Sequence, residues 1–305
     1  MPRVAILVNP ARNAAASLAE TAAAWLEGHG HSVRVLRLAP AHRATGDVPA
    51  GDLSGADLAG VDLAVSLGGD GTFLRLVPPA YAARVPVLGV NFGQLGYLLE
   101  VQPAQLEDAL EQTLAGRSAI EDRMALAVTV QGEITPAHGD DRSLPGDGSV
   151  CPVDDRWWVA LNEMVTEKTV PGHMVNLSTA VDGDDFLDYK ADGVLVATPT
   201  GSTAYNLSAG GPVLAPHLPA MVMTPIAPHF AIERSLVLRS DQVAAVRVLP
   251  ERPAVLVIDG REVGRLAPGA TVTCRAAPGT VRVVCPGRRG FARTLRAALT
   301  QGMQM

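Results

Sequence analysis

Lysine is almost missing from this 305-residue chain: only Lys168 and Lys190 occur among 25 basic residues, the others being arginine. Ala, Arg, Gly and Pro are abundant throughout, so the bias reads as background composition before it reads as function. Positive charge is scarce as a whole. The net charge is −6 and no basic stripe runs along the sequence, which argues against a nucleic-acid binder. Cysteine is sparse and odd in number. Cys151, Cys274 and Cys285 show no C-x-x-C spacing, as suits a reducing compartment. The apolar run in MPRVAILVNPAR is short for a secretory signal. No uninterrupted apolar run reaches the ~18 residues of a membrane span. The expectation is a soluble cytoplasmic protein with neither membrane nor nucleic acid as partner. With 48% hydrophobic residues the chain can bury a core, and its length favours two domains.

The first third alternates strands and helices. Strands are read at Arg3–Val8, Ser32–Leu38, Ala64–Leu67 and Pro86–Val90. Helices are read at Ser17–His29, with Ser17 as cap and Glu20 at capping-box spacing, at Thr72–Tyr81, shortened by Pro78 and Pro79, and at Pro103–Ala115. Such alternation implies a parallel sheet covered on both faces. After about residue 123 short strands take over: Leu126–Gln131, Trp157–Leu161, Val175–Val181, Phe186–Tyr189, Val194–Ala197, Ala254–Ile258, Thr271–Arg275 and Val281–Cys285. Asp182-Gly183 and Asp259-Gly260 sit between alternating runs as hairpin turns do. Residues 132–156, rich in Gly, Pro and Asp, read as an exposed, partly mobile loop. The expected architecture is an α/β N-terminal domain with a parallel sheet over 1–122 and a β-rich C-terminal domain over 123–286. A C-terminal helix at Phe291–Leu299, in a tail from about residue 287 to 305, would return to the first domain.

Three stretches carry chemistry. In LGGDGTFLR, Gly68, Gly69 and Gly71 surround Asp70 between a strand and a helix. The stretch is neither G-x-G-x-x-G nor a P-loop, since no lysine follows a glycine. Phosphate would be met by main-chain N–H groups at the helix N-terminus, with Arg75 nearby. A carboxylate that only cradled phosphate would repel it. Asp70 therefore either takes a proton from an attacking hydroxyl or holds a metal; the plain alternative is a capping aspartate. The second stretch is YKADGVLVATPTGSTAYNLSAGGP, Tyr189 to Pro212, whose small hydroxyl residues let the backbone contour a flat polar ligand. The third is LNEMV, where adjacent Asn162 and Glu163 suit a ribose or base edge. His173, in VPGHMV, reads by itself as an ordinary loop histidine. No H-E-x-x-H or His/Cys cluster suggests a protein-held transition metal.

In order and spacing, GGDGTFLR, ALNEMV, YKADGVLVATPTGSTAYNLSAGGP and TPIAPH resemble the signature blocks of bacterial NAD kinases, from about residue 60 onward. GGDG alone is shared with lipid kinases and phosphofructokinases; the TPTGSTAYNLSAGGP block is specific. The resemblance implies phosphorylation of the 2′-hydroxyl of the adenosine ribose of NAD to give NADP. The donor would be ATP, or polyphosphate, with a divalent cation such as Mg²⁺ carried by ATP. It implies Asp70 as proton acceptor, Asp70 and Gly71 in contact with NAD, and Gly68, Gly69, Gly71, Thr72 and Arg75 at the donor phosphates. Asn162 and Glu163 would hold the adenosine side, and Lys190 and Asp192 would lie near the dinucleotide. Thr203, Ala204, Tyr205, Asn206, Leu207 and Ser208 would line the NAD pocket, and His173 matches a position where some members carry a binding residue. The β-rich half would then be the NAD-binding domain, and the family assembles as homodimers or homotetramers. Phe92, Gln94, Leu99, Phe230, Ser235, Arg261 and the length of 132–156 depart from the family pattern and bear on substrate preference. Two other readings compete. A lipid or sphingoid kinase would leave Tyr189–Pro212 unexplained. A dinucleotide sensor without chemistry would leave Asp70 without a task.

Overall fold

The structure is a computed structural model, described for residues 1–9, 12–38, 53–93, 98–99, 101–137, 144–145, 156–229, 233–287 and 290–302. Gln94, Cys151, Phe230 and most of 132–156 lie outside these residues. The chain divides into two compact units, 1–123 with 281–305, and 124–280.

The first unit begins with β1 (Arg3–Val8), α1 (Asn13–Gly28), β2 (Ser32–Arg37), β3 (Leu63–Gly68), α2 (Asp70–Ala83), β4 (Val87–Asn91) and α3 (Leu106–Leu114). The strands pair in parallel in the order β2-β1-β3-β4. Val4, Ile6, Val8, Leu88 and Val90 share a core with Ala15, Ala19 and Leu26 of α1 and Leu106 and Leu110 of α3. Gly89 faces the other way, where a side chain would strike Phe73 of α2. Successive residues of a strand point to opposite faces, so helices cover both faces. Strands buried on both faces read as near-continuous apolar runs, as β1, β3 and β4 do apart from Arg3, Ser66 and Asn91.

Two helices differ from expectation. α1 starts at Asn13, so Ser17 lies inside it, and Arg12 precedes it without a side-chain cap. Ala14–Ala16 are the strongest helix formers and carry the helix back past the serine. α2 runs through Pro78 and Pro79 to Ala83. Each interior proline removes one bond to the preceding turn. Phe73, Leu76, Val77 and Ala80 are buried, and that packing outweighs the two lost bonds.

β5 (Ala119–Gln131) leads into the second unit. There follow β6 (Ile134–Pro136), β7 (Leu144–Pro145), β8 (Arg156–Ala160), β9 (Glu163–Lys168), β10 (Val175–Val181), β11 (Asp184–Ala191), β12 (Gly193–Ala197), α4 (Tyr205–Ser208), β13 (Ala220–Ile226), β14 (Leu236–Arg239), β15 (Ala244–Val248), β16 (Ala254–Ile258) and β17 (Arg261–Leu266). One antiparallel sheet has the order β14-β13-β12-β9-β16-β17-β6. In the other, β11, β10 and β15 run side by side and β5 pairs with β8. The two sheets share one core, with Leu126, Leu177 and Val246 from one and Met164, Val196 and Leu256 from the other. Asp182-Gly183 (φ 53° and 88°) joins β10 to β11, and Asp259-Gly260 (φ 49° and 73°) joins β16 to β17. Two-residue hairpin turns with both φ positive select this dipeptide.

β18 (Thr271–Cys285) carries the chain back, followed by α5 (Phe291–Gly302). It is one strand where two were expected. Its first residues pair with β15, and Val283 pairs in parallel with Val87 of β4. Pro278, Gly279 and Thr280 are exposed, where a proline does least harm to a strand. Among the described residues, no helix is long and apolar enough to cross a membrane.

Candidate active site

In the first unit, β3 ends at Gly68, Gly69 is extended (φ −110°, ψ −172°), and Asp70 is the first residue of α2. The carbonyl of Gly69 accepts from the N–H of Thr72 (2.9 Å) and of Phe73 (3.1 Å), which closes the first turn. The carbonyl of Gly68 accepts from Phe92 N–H (2.9 Å), so the end of β4 holds the loop from the side. Gly68 is required by contact: a Cβ there would collide with the Thr72 side chain. Gly69 and Gly71 are different, for a Cβ on either would meet nothing within 4 Å. Thr72 is buried and shapes the loop from within. The first N–H groups of a helix have no partner inside it and carry the positive end of its dipole. The loop is thus an open anion cradle at the C-terminal ends of parallel strands, where such sheets bind ligands.

Asp70 reaches solvent at this opening. Partial burial of its carboxyl raises its pKa above the usual carboxylate value, which makes it a better proton acceptor. It is one carboxylate, and among the described residues no group of three or more His, Cys, Asp or Glu could hold a metal. Arg75 lies five residues along α2, roughly 140° around the helix from Asp70 by helical geometry, and is half-buried.

In the second unit, the chain changes sheets at Leu161–Asn162, between β8 and β9. Asp259 Oδ2 accepts from Leu161 N–H at 2.8 Å, and its Oδ1 from Asn162 N–H at 2.7 Å and Glu163 N–H at 3.2 Å. From the other side Thr198 N–H donates to the Asn162 carbonyl (2.9 Å), and Thr198 Oγ1 to the Leu161 carbonyl (2.5 Å). Glu163 is 5% exposed. It accepts a hydrogen bond from Tyr205 N–H, and its Oε2 has no partner among the described residues. Burial, then the neighbouring Asp259, pushes its pKa up to about 8. Burial likewise raises Asp259, to about 6, against its three N–H donors.

The Thr/Ser/Gly stretch supplies the rest of this wall. Gly201 N–H donates to Thr198 Oγ1 (3.0 Å), and Gly201–Thr203 form a 3₁₀ turn ahead of α4. Thr203, Ala204 and Leu207 are half-buried, and Tyr205 and Ser208 are exposed. Asn206, expected to line the pocket, instead turns inward. Its amide donates to the Ser202 (3.1 Å) and Pro212 (3.0 Å) carbonyls, and its oxygen accepts from Thr224 (2.7 Å). With those groups occupied it holds the segment's shape. Ser235, one of the unusual positions, sits 2.8 Å from that Thr224 hydroxyl.

Asp192 lies at the bend between β11 and β12. Lys168 Nζ, not Lys190, pairs with its carboxylate, at 2.6 Å. Glu163, Glu167 and Asp192 all act on Tyr205, whose pKa is raised first by burial and then by these carboxylates. Glu167 is raised by burial and by Glu262. Lys190 is exposed on β11. His173 lines a cavity of about 260 Å³ with Lys168, Arg252 and Arg265, a basic cleft that meets the acidic wall through the Lys168–Asp192 pair.

Residues 4–118 match the model of the ATP-NAD kinase N-terminal domain, and residues 161–285 that of the ATP-NAD kinase C-terminal domain. The chain belongs to the NAD kinase family. It is 38% identical over 239 residues to the NAD kinase of Heliobacterium modesticaldum, covering 78% of each chain. It is 34% identical over 305 residues to the NAD kinase of Acidobacterium capsulatum, covering 99% of each. The fold is that of yeast NADH kinase complexed with NADH (TM-score 0.79, 22% identity, 98% of this chain and 88% of that one). It is equally that of an NAD kinase from Archaeoglobus fulgidus in complex with ATP (TM-score 0.69, 23% identity, 97% and 99%). The two-domain NAD kinase fold, an α/β unit with a mainly parallel sheet and a β-rich antiparallel unit, is therefore established for this chain.

Sequence reasoning missed Lys168, Glu167, Thr198 and Asp259. The alternation of Glu163, Val165 and Glu167 on one face of β9 was a usable signal for the second. The others depend on pairings that no local pattern carries.

The protonation of Glu163 has a testable consequence. Its folded pKa lies above the unfolded value of 4.5, so the folded state binds the extra proton between those values. Stability then falls as pH rises from about 4.5 to about 8, the slope reaching ~1.4 kcal/mol per pH unit. Glu163→Gln, which resembles the protonated form, should gain melting temperature on the wild type as pH is raised from 5 to 8. A difference that stays constant over that range would mean Glu163 titrates normally.

Proposed function

We propose that the protein transfers the γ-phosphoryl group of ATP to the 2′-hydroxyl of the adenosine ribose of NAD, giving NADP and ADP. The observation that carries this reading is the open Gly69–Gly71 cradle with Asp70 at the first position of α2. Phosphate oxygens would accept hydrogen bonds from the loop N–H groups, with the helix dipole favouring their charge. Asp70 would take the hydroxyl proton as the ribose oxygen bonds to phosphorus and the bond to ADP breaks. Mg²⁺ bound with ATP would screen the phosphate charge, and Asp70 is the loop carboxylate able to touch it. The buried carboxyl of Glu163, with Asn162, would hold the nucleoside by hydrogen bonds, beside Thr203, Ala204 and Tyr205. The names of the relatives support the NAD part of this reading. Polyphosphate as an alternative donor, a cytoplasmic setting and a homodimeric or homotetrameric state belong to the same proposal.

The experiment crosses ATP and polyphosphate with NAD and NADH, with Mg²⁺ present, and adds diacylglycerol as a control acceptor. Formation of NADP from ATP and NAD is expected. Phosphorylation of the lipid with no NADP formed would overturn the reading.

Asp192→Ala is expected to raise KM for NAD several-fold more than KM for ATP, because it releases Lys168 and removes charge beside Tyr205. Steady-state kinetics with each substrate varied would check this. A rise confined to ATP would move Asp192 to the donor side.

A further inference from the structure

We propose that Asp259 is a positioning residue of the dinucleotide site, whose carboxylate fixes the main chain of Leu161–Glu163 and so aims the Asn162 and Glu163 side chains. This rests on the reading that those two side chains hold the nucleoside.

At Leu161–Asn162 the chain leaves the sheet of β8 and enters that of β9, so neither ladder supports the corner fully. In a regular strand successive N–H groups point to alternate sides. Here the N–H groups of Leu161, Asn162 and Glu163 converge on one carboxylate, as in the concave main-chain nests that bind anions. The attachment is reciprocal, since Asp259 N–H donates to the Glu163 carbonyl at 3.0 Å. Thr198 grips the Leu161 and Asn162 carbonyls from the opposite side. The corner is therefore clamped between two strand ends. The clamp leaves Glu163 buried with Oε2 unpartnered, a costly arrangement that a bound hydroxyl or ring nitrogen would relieve.

A turn-forming role alone would not need a carboxylate. Asn tolerates the positive φ of Asp259 as well as Asp does. An amide, however, would present a donor to at least one of the three N–H groups. Asp259→Asn therefore separates clamp from turn, with Asp259→Ala as the stronger lesion. The first readout is amide hydrogen exchange in the ligand-free protein. The second is the split between kcat and the KM values for NAD and ATP.

We expect folded Asp259→Asn to exchange the three amides roughly tenfold faster or more and to raise KM for NAD by a similar factor, the worth of one charged hydrogen bond. KM for ATP should stay within about twofold. A purely structural residue would lower the melting temperature and the active fraction while leaving KM for NAD alone. Unchanged exchange, or an unchanged KM for NAD in the folded variant, overturns the proposal. If Asp259→Ala does not fold, Asp259→Asn decides. Wild-type protein that takes no NAD would sink the functional reading instead, and the exchange rates, which need no ligand, would still decide the clamp.

Discussion

Asp70→Asn is expected to fold as the wild type does and to form NADP ~10²–10⁴-fold more slowly. The amide keeps the size of the side chain at the first position of α2, and no residue after Gly69 needs a charge there to close the turn. What is lost is the proton acceptor. The effect should fall mainly on kcat, because the proton is transferred in the transition state, with smaller changes in the KM values from any contact of Asp70 with Mg²⁺ or the ribose. Rates at saturating ATP and NAD, together with a thermal melt, provide the check. A variant within about threefold of wild type has lost under ~1 kcal/mol of barrier lowering, and the general-base role would have to be given up.

Gly201→Ala should have the second large effect, by another route. A methyl group there would overlap the carbonyl oxygen, carbonyl carbon and Cα of Asn162. Main-chain atoms cannot rotate away as a side chain can. Either the 3₁₀ turn or the Asn162 corner must move, and the corner is held by Asp259 and Thr198. Overpacking of this kind costs about 1–3 kcal/mol, and misplacement of a binding group by about 1 Å can cost ~10²-fold in turnover efficiency. We expect kcat/KM for NAD to fall by about that factor with a lower melting temperature. Gly28→Ala is the control, since a Cβ at Gly28 meets nothing within 4 Å and should leave both values alone. An NAD titration of Gly201→Ala indistinguishable from wild type would show that the turn can shift without disturbing Asn162.

What the sequence made readable was local. β1 and β10 have the bounds that their apolar runs mark, and both Asp-Gly turns lie where the alternation breaks. Asp70 and Glu163 stand out because a carboxylate among glycines, or next to Asn at a strand end, conflicts with its surroundings. What could not be read depends on distant chain segments. Asp259 and Leu161 are 98 residues apart, and nothing near the Asp-Gly turn states where its carboxylate goes. Lys168 and Asp192 meet only because their strands pair. Asn206 looked like its neighbours in a polar stretch; only the fold shows that Thr224 and two carbonyls consume it. Pro78 and Pro79 misled in the opposite direction. A breaker acts only where the backbone has a hydrogen bond to lose and no packing to compensate.

The return of the chain along β18 bears on the order in which the protein is made. Residues 124–280 are one continuous segment, all of which is made before the first unit's last residues. The first unit is completed later, because its parallel sheet receives Val283 beside Val87 only after the whole second unit has been synthesised. At ~5–20 residues per second that leaves the edge of β4 at Val87 without this partner for roughly ten to forty seconds, and an open strand edge can recruit other chains. Nascent chains halted before Val281 would carry the Gly68–Gly71 loop on a sheet that still lacks Val283, which would make the last stage of synthesis the vulnerable one.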